Sequence, residues 1–72
     1  MAESVYKLIE LVGTSTESWE RAAAAAVKQA AKSLRDLRVA EVVEMDASIA
    51  ADGSIESYRT KVRISFKYEG HG

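Results

Sequence analysis

"MDASIAADGSIESYRT", Met45 to Thr60, places an Asp-Gly pair between two runs that alternate in polarity. Asp-Gly between alternating hydrophobics is the strongest short-range hairpin signal, because a tight two-residue loop requires positive φ at both positions. The period-two pattern runs from Leu37 to Ile49 and again from Ser54 to Tyr68, which predicts strands over 37–50 and 54–69. With Asp52-Gly53 as the loop, Asp46 faces Arg59 and Glu44 faces Lys61. Val42, Ala40 and Arg38 then stand opposite Arg63, Ser65 and Lys67. That row forms one sheet face. Tyr58, Thr60, Val62, Ile64, Phe66 and Tyr68 share the other with Val39, Val43, Met45 and Ile49, as the expected core side.

Upstream, "SVYKLIELV" is rich in β-branched and large apolar residues and ends at Gly13, which predicts a first strand over 4–12 stopped by a turn. Both of its faces carry large apolar groups, so one covering layer leaves one of them wet. "GTSTES" then offers helix caps: Thr14 with Glu17 has the capping-box spacing, and Ser15 is an equally good N-cap. A helix over 16–36 is expected, with an apolar stripe at Trp19, Ala23, Ala26, Val27, Ala30, Leu34 and Leu37. Five alanines, Ala22 to Ala26, give high helix propensity and a thin surface that lets a sheet come close.

The order strand, helix, strand, strand most simply places the last strand between the other two. The expected fold class is therefore α+β, a single βαββ domain over 1–72 with a three-stranded antiparallel sheet packed on one helix. One helix covers only one face of such a sheet. A 72-residue chain buries only about 60% of the surface it exposes when unfolded, so isolated stability is marginal. Cysteine is absent and the only histidine, His71, lies next to the C-terminus, which excludes disulfides and a Cys/His zinc site as remedies. Self-association is the expected one.

Ten Lys plus Arg against eleven Asp plus Glu leave a net charge of -1, without the basic excess that nucleic-acid partners require. "MAESVYKLIE" has no basic n-region or long apolar stretch, and no run approaches a membrane span, so a cytoplasmic protein without membrane contact is expected. No Ser/His/Asp or Cys/His set can be assembled, and the chain does not read as an enzyme. Glu41, Glu44 and Asp46, with Asp52, are the oxygen-rich residues that a hard cation such as calcium would take, although their spacing is not an EF-hand loop. The competing reading makes them cross-strand partners of Arg59, Lys61, Arg63 and Lys67. Trp19 reads as a core or subunit anchor.

Taken together, "VYKLIELVGTS" from Val5, "SWERAAAAAV" from Ser18, "SLRDLRVAEVVEMD" from Ser33 and "YRTKVRISFK" from Tyr58 resemble the dodecins in order and separation over nearly the whole chain. The resemblance implies a βαββ protomer assembling into a hollow homododecamer that stores small ligands, in many members riboflavin or FMN. It also implies flavin-site positions at Val39, Asp46 and Arg59. Flavin-binding members carry a stacking tryptophan at the position of Val39, a glutamine at that of Arg59 and often an arginine at that of Asp46. All three depart here, which implies weak or absent flavin stacking. The Ser18-Trp19-Glu20 helix start with valine at position 39 is similar to a subgroup for which calcium binding is described.

Overall fold

The computed structural model describes residues 3–68, so His71 and Glu69, the expected end of the last strand, lie outside the described residues. Four elements follow in order: β1 (Tyr6–Ser15), α1 (Trp19–Ser33), β2 (Leu37–Ile49) and β3 (Ile55–Lys67). They form a βαββ fold whose sheet order is β1-β3-β2, with β3 antiparallel to both neighbours. The helix lies over β1 and β3 and barely touches β2.

The hairpin differs from its expected form in a way that explains its register. Gly53 N–H donates to the Ala50 carbonyl at 2.9 Å and Ala50 N–H to the Ser54 carbonyl at 2.8 Å, which closes a three-residue loop, Ala51 to Gly53. Gly53 takes φ 91, the left-handed position of such a loop. Asp52 Oδ1 braces it by accepting from Ser54 N–H and Oγ at 3.0 and 2.7 Å. Ile49 then pairs with Ile55, and an irregularity at Glu56 restores Ser48 opposite Ser57. From there Asp46 stands opposite Arg59 and Glu44 opposite Lys61, as the symmetric loop predicts.

Beyond Glu44 the expected register fails. A bulge between Val42 and Glu44 shifts β2 by one residue, so Val42 pairs with Val62, Glu41 with Arg63, Ala40 with Ile64 and Val39 with Ser65. A one-residue slip in a period-two element exchanges the faces. Val39 therefore leaves the expected core side for the opposite face, while Ala40 and Val42 join Met45 on the helix side. A second irregularity, between Leu37 and Val39, takes Arg38 out of its expected place opposite Lys67.

The first strand does not stop at Gly13. It continues to Ser15 because Gly13 lets the helix descend onto the sheet: a Cβ there would lie 1.9 Å from the Ala22 carbonyl oxygen and 3.1 Å from the Ala26 Cβ. Ala22, Ala26 and Ala30, at helical spacing, form the buried stripe over Val62 and Ile64. Thr60 is buried with them, opposite Gly13, and donates its hydroxyl to the Trp19 carbonyl at 2.9 Å. The helix begins at Trp19, capped by Ser18, whose Oγ accepts from Arg21 N–H at 3.0 Å. Ser15 instead accepts from Glu17 N–H in the loop. At the far end Leu34 is already extended and Asp36 takes φ 59, so the helix stops three residues short of the expected 36 and turns into β2.

Thirteen-residue strands reach about 43 Å, whereas a fifteen-residue helix spans about 22 Å. The protomer measures 57 × 20 × 17 Å, with a radius of gyration of 15.1 Å against about 11 Å for a compact chain of this length. The end of the β2–β3 hairpin projects past the helix. No described helix is long and apolar enough to cross a membrane.

Candidate functional site

The sheet face turned away from the helix carries the charged residues, and β3 runs down its middle. Arg59, Lys61, Arg63, Ser65 and Lys67 lie between Thr14, Val12, Glu10, Leu8 and Tyr6 of β1 on one side and, on β2, Asp46, Glu44, Glu41 and Val39 opposite the first four. Each of the three central cations has an acid across the ladder. Arg59 donates from Nε and Nη2 to the two carboxylate oxygens of Asp46 at 2.7 and 3.0 Å. Lys61 Nζ stands 3.6 Å from Glu44. Arg63 ties all three strands together, reaching Glu10 at 2.7 Å and Glu41 at 3.4 Å.

The two-pronged Asp46–Arg59 contact is the strongest geometry of the set. Arg59, by hydrogen bond first and charge second, holds the Asp46 carboxyl below its usual value, and Asp46 correspondingly holds the guanidinium proton more firmly. Asp46 also reaches the helix side through its backbone. Trp19 Nε1 donates to the Asp46 carbonyl at 2.9 Å, and the indole meets Tyr58 edge-on at a centroid distance of 4.7 Å. The helix start, the end of β2 and the ion pair on the opposite face thus share one residue. The sequence alone does not reveal that link, nor the Glu10–Arg63 bond, because the register of β1 against β3 is set by no tight turn.

Of the three positions aligned to the flavin site, the fold brings together Asp46 and Arg59. Val39 shares their face but stands opposite Ser65, three rows away, or about 20 Å along the strand. It is an exposed aliphatic side chain, 61% accessible. The small hollow at Asp46 and Arg59 is completed by Val12, Glu44 and Lys61, without Val39.

Glu41, Glu44 and Asp46 also share this face. Each of these acids holds a basic partner: Asp46 pairs with Arg59, Glu44 with Lys61 and Glu41 with Arg63. Among the described residues no group of three or more His, Cys, Asp or Glu gathers as a metal site. Within one protomer these carboxylates are turned to Arg59, Lys61 and Arg63.

The dodecin family model matches residues 5–69. The chain belongs to the dodecin family. It is 52% identical over 64 residues to Calcium dodecin of Mycobacterium tuberculosis, covering 89% of each chain. With the dodecin of Thermus thermophilus it shares 42% over 65 residues, 90% of this chain and 93% of that one. The solved dodecin of Streptomyces coelicolor superposes with a TM-score of 0.91 at 30% identity, covering 99% of this chain and all of the other. The βαββ fold of this dodecin is thus that of its structural relatives, and its charged ladder lies on a framework they share.

Proposed function

We propose that this dodecin is a cytoplasmic, non-catalytic binding and storage protein that works as a homododecameric shell, and that it does not hold flavin by ring stacking. The observation that supports the reading is the Asp46–Arg59 pair: both residues stand at positions that the family resemblance implies for the flavin site, and each holds the other in a two-pronged ion pair. Valine at position 39 supplies no flat ring, so a stacking contribution of about 1 kcal/mol is missing, along with the amide contacts of a glutamine at position 59. Native mass spectrometry of the full chain, with and without added riboflavin, tests both parts. A dodecamer without flavin is expected. Stoichiometric flavin on the dodecamer refutes the ligand part, and a monomer refutes the shell.

A second reading is favoured by the 52% identity to a protein named Calcium dodecin. Carboxylates among Glu41, Glu44 and Asp46 from several copies around a symmetry axis would then supply the ligands that one protomer does not. Calorimetry with calcium, and melting temperature with and without chelator, test it: a flat titration and an unchanged melting temperature remove it.

A further inference from the structure

Trp19 meets the charged face from behind. Its Nε1 donates to the Asp46 carbonyl at 2.9 Å, its ring meets Tyr58 edge-on at 4.7 Å, and its own carbonyl accepts from the Thr60 hydroxyl at 2.9 Å. Tyr58 and Thr60 are the two chain neighbours of Arg59. One residue at the helix start therefore holds both halves of the Asp46–Arg59 row, although the ion pair itself lies on the far side of the sheet.

That row lies between two irregularities of β2, at Val42/Glu44 and Ser48/Ile49, where the ladder is interrupted and the strand bends more easily. The helix otherwise barely touches β2, and among the described residues the indole bond is the one hydrogen bond from α1 to that strand. Both side chains of the pair are about half exposed, at 50% and 48%, so water screens the charges and side-chain entropy opposes a fixed geometry. Even so, Arg59 engages both oxygens of Asp46 at 2.7 and 3.0 Å. The two β2–β3 rows that Trp19 does not reach, Glu44–Lys61 and Glu41–Arg63, close at 3.6 and 3.4 Å through one oxygen each. We infer that Trp19 is a positioning residue: its indole N–H fixes the Asp46 backbone so that the carboxylate meets Arg59 two-pronged, which keeps this end of the charged face closed. The inference deepens the closed-site reading above, on which its meaning for ligands rests.

Trp19→Phe keeps a ring edge for Tyr58 and the backbone carbonyl for Thr60, and removes the N–H donor. Urea unfolding at fixed protomer concentration, followed by far-ultraviolet circular dichroism, gives the factor by which Asp46→Asn raises the unfolding constant, once in the wild type and once in Trp19→Phe. A tryptophan that only adds stability gives the same factor in both backgrounds, because independent sites are additive. The expected factors are about fivefold in the wild type, the upper end for an exposed pair, and under about twofold in Trp19→Phe. Glu10→Gln, which cuts the Arg63 pair on the same face, is the control and is expected to give equal factors in both. A second arm keeps the tryptophan and so stays open where Trp19→Phe fails to fold. Trp19 is the only tryptophan of the chain, and its emission maximum is expected to shift on Arg59→Gln but not on Arg63→Gln, with circular dichroism unchanged. Equal factors for Asp46→Asn in the two backgrounds overturn the inference, as does an emission maximum that Arg59→Gln leaves in place. Neither arm uses flavin, so stoichiometric flavin on the wild type removes the reading above while these measurements still decide the coupling.

Discussion

Replacing Gly13 by alanine probes the contact on which the helix–sheet packing depends. In an ordinary strand this change is favourable by about 0.5–1 kcal/mol, because glycine loses more conformational freedom on folding. Here the added Cβ falls 1.9 Å from the Ala22 carbonyl oxygen, whereas real Cβ contacts begin near 3.0 Å. The helix backbone must therefore retreat by at least about 1 Å, and backbone yields less readily than a side-chain tip. A gap of that size forfeits a quarter to a half of each van der Waals contact along Ala22, Ala26 and Ala30, and it lengthens the Thr60 bond to the Trp19 carbonyl. Overpacking of this kind costs about 1–3 kcal/mol, and the backbone clash puts Gly13→Ala at the upper end, about 3 kcal/mol. Urea unfolding at fixed protomer concentration measures it. The expected result is a lower midpoint with an unchanged slope. A midpoint equal to or above wild type refutes the argument, since the propensity gain would then outweigh the contact.

Trp19→Phe keeps the edge contact with Tyr58 but removes the donor to the Asp46 carbonyl, and is expected to lower stability by about 0.5–1 kcal/mol in the same assay. Asp46 has a folded-state pKa below its unfolded value, so its contribution is full above the ordinary carboxylate range and is lost as pH falls through the folded pKa. Melting temperature followed from pH 6 to pH 2 should therefore drop more steeply for wild type than for Asp46→Asn, and parallel curves would contradict this. Combining Val39→Trp, Asp46→Arg and Arg59→Gln removes the ion pair and supplies the ring and amide that the family comparison implies. Riboflavin fluorescence should then be quenched on titration with this variant, and a response no stronger than wild type would sink the assignment of these positions.

The outline of the fold was legible because the strongest signals are local. Alternation over 37–49 and 54–68 with an Asp-Gly turn specifies the hairpin, and the apolar stripe from Trp19 with the alanine run specifies the helix, although the structure buries Ala22 where the stripe has Ala23. The two-residue loop gives the Asp46–Arg59 pairing that the three-residue loop also gives, since the extra loop residue and the irregularity at Glu56 offset each other. The bulge at Val43 was harder, yet it left a trace. Glu41 and Glu44 are an odd number of residues apart, whereas their partners Arg63 and Lys61 are separated by two, and both can face one row of cations only if β2 carries an extra residue. Gly13 reads as a turn in the sequence because glycine beside threonine and serine marks a turn and a close backbone approach alike.

The most direct measurement is a titration of riboflavin, and separately FMN, with the assembled wild-type protein, followed by flavin fluorescence. With Asp46 and Arg59 paired to each other and valine at position 39, the expected result is no saturable quenching at submicromolar protein. Stoichiometric quenching with a submicromolar dissociation constant would contradict the account, and would mean that the ion pair opens to admit the ring.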